Sequence, residues 1–352
     1  ASNMNKVKDL QEPWTSSYHN LIQFHLKSQP KEIRKPGFDV EYKAGQGVSA
    51  WSKLMNVLFS SFTRAYSDMI VKYVKNNVQL SYGQSDTKLQ EFFKKYPSQL
   101  NSVNHKKLMV DFSEFDSSQE EKGILSSAIL LKSLGFKTEV IDFYMKMRKS
   151  WTLLANSSSG ASKFIIRLEG DWMQHSGQPF TLDGNTLFNM SAIGMCYDIK
   201  EMQFAAFKGD DSVICAEKIV ECKLGSDTHI SICGYKLKTN YASIPEYIAN
   251  IITPTGNFFP DVLRRITRVL NKIYSDEVDW EETRKAITDC LDVVETNEDL
   301  NDGYITASKF YAQFGILITP EEIELITLCL YALKETENLE DIRSKKYVYL
   351  SL

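Results

Sequence analysis

Two apolar runs, Gln203 to Phe207 and Ser212 to Ala216, close on Gly209-Asp210-Asp211, and no other feature narrows the fold as much. Runs of this length bounded by turn residues suit strands, and Gly-Asp at the junction suits a tight hairpin with a carboxylate at its tip. The segment before it, Leu182 to Tyr197, is apolar nearly all round, which predicts a buried helix feeding the hairpin. A further short run, Leu108 to Phe112, predicts a buried strand that carries Asp111 near its end. Strands and helices mixed in this way imply an α+β protein.

The remaining pattern fills in around these elements. Apolar residues from Ser52 to Val74 recur at helical spacing and predict a long amphipathic helix. Ser117 and Ser118, each followed three residues on by Glu120 and Glu121, predict a capping box opening a helix through Leu134. Asn156 to Gly160 reads as a loop of small residues, and Phe164 to Trp172 as a hairpin turning at Gly170-Asp171. Beyond Pro260 the pattern is helical, over Val262 to Ile273, over Trp280 to Val294, and after Thr319-Pro320-Glu321-Glu322, which combines capping-box spacing with Pro at the first helical position. Lys27 to Lys43 is a basic loop, and no internal repeat is present.

Composition excludes several classes. The 352 residues are 43% hydrophobic and 24% charged, enough for a sizeable core and for roughly two domains. A formal charge of -4 means that any surface for nucleic acid must be local. Cys196, Cys215, Cys222, Cys233, Cys290 and Cys329 have no zinc-finger spacing and read as reduced cytosolic thiols. No apolar run approaches the roughly 18 residues of a membrane span. The start at Ala1-Ser2-Asn3, with neither Met nor a signal sequence, leads us to expect a piece of a longer polypeptide. Glu298 to Lys309 superficially resembles a calcium loop, but Leu300 and Lys309 stand at ligand positions. Neither a phosphate-binding GxxxxGK[ST] nor a GxSxG elbow occurs.

Three segments carry the chemistry. Asp111-Phe112-Ser113-Glu114-Phe115-Asp116 places one aspartate at a strand end and another in the following turn. Magnesium is held by few carboxylates together with substrate phosphates and water, so a strand-end aspartate facing a hairpin carboxylate suffices. By itself Gly-Asp-Asp is also what an ordinary surface turn would use. The third segment, Ser176-Gly177-Gln178-Pro179-Phe180-Thr181-Leu182-Asp183-Gly184-Asn185-Thr186, runs from a glycine loop into the buried helix and puts Thr181 and Asn185 at helical spacing. A polar stripe on a buried helix is costly unless it has partners.

The order Asp-x4-Asp, Ser-Gly-x3-Thr-x3-Asn, Gly-Asp-Asp resembles motifs A, B and C of viral RNA-dependent RNA polymerases. Lys43 to Lys53, Asp111 to Ser117, Ala205 to Ser212, Cys233 to Lys238 and Phe259 to Val262 are similar to the alphavirus-like group, hepatitis E-like viruses in particular, and the likeness runs from Phe24 to Lys272. It implies a right-hand fold: partial fingers over 1–106, a palm of antiparallel sheet with flanking helices over 107–258 with a fingers insertion near 150–175, and a helical thumb over 259–352.

By the same resemblance Asp111, Asp210 and Asp211 hold two Mg²⁺ or Mn²⁺ ions, and Asp116 with Asn185 checks the ribose 2'-hydroxyl, which makes RNA rather than DNA the product. Ser176, Gly177 and Thr181 shape that pocket. Lys27, Lys31 and Arg34 meet the incoming triphosphate, and Lys238 protonates the departing pyrophosphate, with Lys236 one strand alternation away as its rival. The implied partners are RNA template, nascent RNA, nucleoside triphosphates, and methyltransferase and helicase domains of a replicase polyprotein, in membrane-associated complexes of the host cytoplasm. Trp51 is expected to pack rather than to touch template. Two other readings remain, a catalytically silent RNA-binding or replication-scaffold module and a DNA-synthesising enzyme of the same palm architecture.

Overall fold

The computed structural model describes residues 21–26, 47–113, 115–159, 162–221, 236–272, 274, 276–294 and 296–335. The chain divides into two compact units, one of residues 1–28, 44–82 and 108–241, the other of residues 29–43, 83–107 and 242–352. The class is α+β, as the sequence pattern predicts.

In the first unit, strands β1 (Leu21–Leu26) and β2 (Gly47–Trp51) are followed by helix α1 (Lys53–Tyr73), and β3 (Val78–Leu80) follows it. Ser52 caps α1 by accepting from the Met55 amide. The predicted long helix is therefore present, and one face of it packs into a core with Trp51, Tyr144, Leu153 and Phe180. Trp51 is buried in that core, which agrees with a packing role.

Strand β4 (Lys106–Ser113) continues into the short helix α4 (Phe115–Ser118), followed by α5 (Glu121–Ser133) and α6 (Thr138–Lys149). The expected capping box at Ser117 and Ser118 does not form: Glu120 precedes α5 without a side-chain cap, and the Ser118 hydroxyl donates to the Phe115 carbonyl at 2.8 Å. The chain turns once as α4 before α5 begins, which takes both serines out of the capping position. Strands β5 (Trp151–Ser159) and β6 (Ser162–Gly170) form one antiparallel hairpin with Ser159 opposite Ser162. Asn156 to Ser159 is thus strand rather than loop, and the chain reverses between Ser159 and Ser162 rather than at Gly170-Asp171. Pairing with β6 supplies the backbone partners that these small residues do not announce locally. One sheet has the order β2-β1-β5-β6.

Helix α7 (Thr181–Cys196) passes straight into β7 (Tyr197–Lys208), which returns as β8 (Asp211–Glu221), and β9 (Lys236–Tyr241) completes a second sheet in the order β3-β7-β8-β4-β9. Residues 212–216 are buried without alternation, as expected of a central strand covered on both faces. Along the end of β4 the faces alternate: Val110 and Phe112 are buried with Leu108 in the sheet's core, while Asp111 between them is exposed.

The second unit holds α2 (Asp86–Phe93), α3 (Pro97–Asn101), a small sheet of β10 (Glu246–Tyr247), β11 (Asn250–Ile252) and β12 (Phe258–Pro260), and helices α8 (Val262–Asn271), α9 (Glu277–Thr288), α10 (Asn297–Ala312) and α11 (Pro320–Lys334). The expected helix Trp280 to Val294 is α9 continued by a 3-10 turn over Asp289–Val293. The capping box of Thr319 and Glu322 is present as predicted. Glu298 to Lys309 lies within α10, so it is no calcium loop. The basic segment from Lys27 to Lys43, and Cys222 and Cys233, lie outside the described residues. Cys196, Cys215, Cys290 and Cys329 are free thiols.

Candidate active site

The β7–β8 turn is a two-residue loop, with Lys208 opposite Asp211 and Gly209-Asp210 between them. Gly209 has φ of +61°, the left-handed backbone that such a loop requires at its first position and that a side chain disfavours. Asp210 at the tip and Asp211 at the start of β8 are both exposed.

Helix α7 holds this turn from behind. The Thr186 hydroxyl accepts from the Gly209 amide at 2.8 Å, and the Asn189 amide donates to the carbonyls of Gly209 and Asp210 at 3.1 and 2.9 Å. The Asn189 carbonyl in turn accepts from Ser212 Oγ at 3.3 Å. Thr186 and Asn189 are fully buried, so this is where the polar stripe of an otherwise apolar helix finds its partners.

Strand β4 is the neighbour of β8, and Ser212 Oγ lies 3.5 Å from the Val110 carbonyl, next to Asp111. The exposed Asp111 and the exposed pair Asp210-Asp211 thus come from adjacent strand ends. Among the described residues no three His, Cys, Asp or Glu side chains are grouped closely enough to hold an ion by themselves. A magnesium ion that keeps waters and takes ligands from substrate phosphates asks for only one or two carboxylates, and the two strand ends fit that donor set. On the other side of β4, the register pairs Asp111 with Lys238 and Ser113 with Lys236.

Asp116 and Asn185 also meet. Asn185 Nδ2 donates to Asp116 Oδ1 at 2.6 Å across 69 residues of chain, and Asn185 Oδ1 accepts from Gln119 Nε2 at 2.5 Å. Asn185 lies one helical position before Thr186, so one stretch of α7 reaches both the Asp116 carboxylate and the Gly209 turn.

Ser176, Gly177 and Thr181 form the entry to α7. Ser176 Oγ accepts from the Ser49 amide at 3.1 Å, and the Gly177 amide donates to the Ser49 carbonyl at 3.0 Å, which docks the loop on β2. A Cβ on Gly177 would stand 2.8 Å from the Ala50 Cα, so only glycine allows this approach. Thr181 Oγ1 donates to the His175 carbonyl at 2.6 Å. Burial pushes the His175 imidazole down to about 3, with the nearby Arg148 charge acting in the same direction. The neutral ring therefore accepts at Nδ1 from Trp51 Nε1, 3.3 Å away.

Several residues of this site went unremarked in the sequence. Arg148 is wholly buried and donates to the Tyr144 hydroxyl at 2.9 Å, and that hydroxyl donates to Gln178 Oε1 at 3.3 Å. Asp183, two residues before Asn185, is buried, accepts from Ser67 Oγ at 2.6 Å, and is pushed up to about 7 by burial. Gln119, Thr186 and Asn189 complete the group. The signal in sequence for Asp183, Thr186 and Asn189 is only the polar stripe of α7, which announces that partners exist without naming them, and Gln119 and Arg148 lie on other elements. Of the expected site residues, Asp111, Asp116, Ser176, Gly177, Thr181, Asn185, Asp210 and Asp211 belong to the first compact unit, as does the Lys238 backbone. Lys27, Lys31 and Arg34 lie outside the described residues.

The family described as RNA dependent RNA polymerase matches residues 1–311. The non-structural polyprotein pORF1 of hepatitis E virus genotype 1 (isolate Human/Pakistan/Sar-55) is 32% identical over 250 residues, covering 71% of this chain. That of genotype 3 (isolate Swine/United States/swUS1) is 34% identical over 253 residues, again 71% of the chain. The chain spans only 14% of the length of these relatives, which are larger non-structural polyproteins. The structure of an insertion loop deletion mutant of the RNA-dependent RNA polymerase of a human picorbirnavirus superposes with a TM-score of 0.50 at 14% identity, over 81% of this chain and 58% of that one, a likeness of fold. With a polymerase fold and a family match across most of its length, this chain belongs to the RNA dependent RNA polymerase family.

Proposed function

We propose that this RNA-directed RNA polymerase joins ribonucleotides at Asp111, Asp210 and Asp211, on an RNA template. The observation that carries the proposal is the reach of α7: Asn185 holds Asp116 while Thr186 and Asn189 hold the Gly209-Asp210 turn, so three segments distant in sequence meet in one place. In the proposed reaction the 3'-hydroxyl of the nascent strand gives its proton to solvent, and its oxygen forms a bond to the α-phosphorus of the incoming nucleotide. The bond from that phosphorus to the bridging oxygen breaks, and pyrophosphate leaves with the electron pair. Two Mg²⁺ or Mn²⁺ ions, held by Asp111, Asp210 and Asp211, would supply the paired Lewis-acid clamp on the attacking and leaving oxygens.

The chain's own groups would do the rest. Thr186 and Asn189 keep the turn carbonyls and amide occupied, so that the Asp210 carboxylate is carried at a fixed tip. Asp116 and Asn185 would meet the ribose 2'-hydroxyl, which both donates and accepts. Ser176, Gly177 and Thr181 would shape the wall beside it, Lys27, Lys31 and Arg34 would spread the triphosphate charge, and Lys238 would give a proton to pyrophosphate. In hand terms the fingers would be 1–106, the palm 107–258 with an insertion near 150–175, and the thumb 259–352. Among the described residues no helix is long and apolar enough to cross a membrane. We place the protein in membrane-associated replication complexes of the host cytoplasm, beside methyltransferase and helicase domains of its polyprotein.

The test is primer extension on an RNA template with Mg²⁺ or Mn²⁺, using Asp210→Asn. Incorporation should fall by at least about a hundredfold while the circular dichroism spectrum stays the same. Robust incorporation by the variant would remove Asp210 from the centre, and template binding without turnover by the unaltered chain would favour a silent RNA-binding module.

A further inference from the structure

We infer that Gln119 is a positioning residue for sugar selection, acting through the orientation of the Asn185 carboxamide. The inference rests on Asp116 and Asn185 being the pair that meets the 2'-hydroxyl. Its physical basis is the direction of a chain of hydrogen bonds. Gln119 Nε2 donates to Asn185 Oδ1 at 2.5 Å, and Asn185 Nδ2 donates to Asp116 Oδ1 at 2.6 Å. Both Gln119 and Asn185 are buried, so neither can exchange these partners for bulk water.

A carboxamide has two orientations related by a half-turn, and its partners decide between them. An ionised carboxylate only accepts, so Asp116 requires the amino end of Asn185. That choice leaves the Asn185 carbonyl pointing the other way, where it needs a donor. Gln119 supplies one from the junction of α4 and α5, three residues after Asp116, so that Asp116 and Gln119 frame the Asn185 carboxamide from its two ends. The Gln119 carbonyl itself has no hydrogen-bond partner among the described atoms and is buried, so the arrangement is not one that satisfies Gln119 for its own sake. Leaving a buried carbonyl unmatched is costly, and placing the amino end on Asn185 recovers one bond in exchange.

For a ribonucleotide the consequence is direct. An Asn185 held amino-end toward Asp116 presents a donor to the 2'-oxygen, and the 2'-hydroxyl can donate to the Asp116 carboxylate. An Asn185 turned over would present a carbonyl to both, losing the donor and facing the carboxylate with a second acceptor. A deoxynucleotide makes neither bond and has nothing to lose. Gln119 therefore acts on use of ribonucleotides and leaves use of deoxynucleotides where it was.

The experiment is primer extension with ribo- and deoxynucleoside triphosphates, reading the ratio of kcat/KM for the two. Gln119→Glu offers Asn185 an acceptor in place of a donor and should lower the ratio by about tenfold, all of it from the ribonucleotide side. Gln119→Leu removes the donor without adding charge and should lower it by about threefold, and it decides the matter if the glutamate variant does not fold. Asn185→Ala should collapse the ratio, and Gln119→Glu added to Asn185→Ala should change it no further. If Asn185→Ala lowers the ratio and neither Gln119 variant does, or if Gln119 variants lower both substrates equally, the role assigned to Gln119 is wrong. If Asn185→Ala itself leaves the ratio unaltered, the ribose pair is wrong, and the two failures are thereby distinguished.

Discussion

Helices α7 and α10 are each 16 residues long and both are deeply packed, yet the side chains that α7 buries from Asp183 to Asn189 are polar, whereas most of those that α10 buries are apolar. Helix α10, in the second unit, buries Tyr304, Ala307, Phe310 and Tyr311 in a core with Trp280, Ile323 and Leu330. Helix α7 buries Asp183, Asn185, Thr186 and Asn189, and each makes hydrogen bonds beyond its own helix. The net gain from a hydrogen bond on folding is small, about 1 kcal/mol, whereas burying a large apolar side chain contributes roughly 2–3 kcal/mol. An apolar helix is thus the better stabiliser. A polar one fixes directions, because its partners must be the right atoms in the right places.

The contrast breaks most visibly at Phe310, which is fully buried and edge-packed against Tyr311 and Phe314 at ring separations of 5.5 and 5.2 Å. Phe310→Ala should destabilise its unit by about 4 kcal/mol through lost burial and the cavity left behind. Urea denaturation checks this, and the ratio of ribo- to deoxynucleotide use by the folded fraction should not move. A change in that ratio would show that α10 does more than stabilise.

Asp183 gives the next largest effect, with a pH signature. Its carboxyl is raised from its ordinary 3.8 to about 7, first by burial, so between those values the folded chain holds a proton that the unfolded chain has lost. Stability therefore falls as pH rises through this window and stays lowered above it. The full loss is on the order of 4 kcal/mol. Asp183→Asn keeps an acceptor for Ser67 Oγ and removes the ionisation, so it should stabilise the chain at pH 8 and do little at pH 4. Thermal unfolding at the two pH values checks the sign, and equal shifts at both would place the titration elsewhere.

The two helices also differ in how they appear in sequence. Helix α7 was legible because it is long and apolar nearly all round, and its polar residues stand out against that background. Asp111, Asp116, Asn185 and Asp210 stood out for a different reason, the order Asp-x4-Asp, Ser-Gly-x3-Thr-x3-Asn, Gly-Asp-Asp, which resembles that of viral RNA-dependent RNA polymerases. Which atoms the polar residues hold was not legible: Gln119 reaches Asn185 across 66 residues and Arg148 reaches Gln178 through Tyr144, and no local pattern encodes such choices. Helix α10 was missed because Asn297 to Gly303 has the composition of a turn, and Thr296 converts that start into a cap by accepting from the Asp299 amide at 3.1 Å. Likewise Asn156 to Ser159 lacks strand residues and becomes strand only by pairing with β6.

Thr186→Val gives the smallest stability effect and sharpens the comparison most. Valine has the shape of threonine, so packing in α7 is nearly unchanged, and what is lost is one acceptor for the Gly209 amide and one donor to the Leu182 carbonyl. The Leu182 carbonyl lies in the first turn of α7 and keeps its helical partner, whereas the Gly209 amide, in a buried residue, is left unmatched. Such a group costs about 1–2 kcal/mol, which denaturant titration can resolve. The same loss falls on the turn that carries Asp210, where Asn189 still grips both carbonyls but nothing holds the amide. A carboxylate misplaced by a fraction of an ångström costs far more in rate than in stability, so incorporation should fall by about tenfold. If activity fell only in proportion to the folded fraction, α7 would be a stabilising helix like α10, and the distinction between them would be one of composition alone.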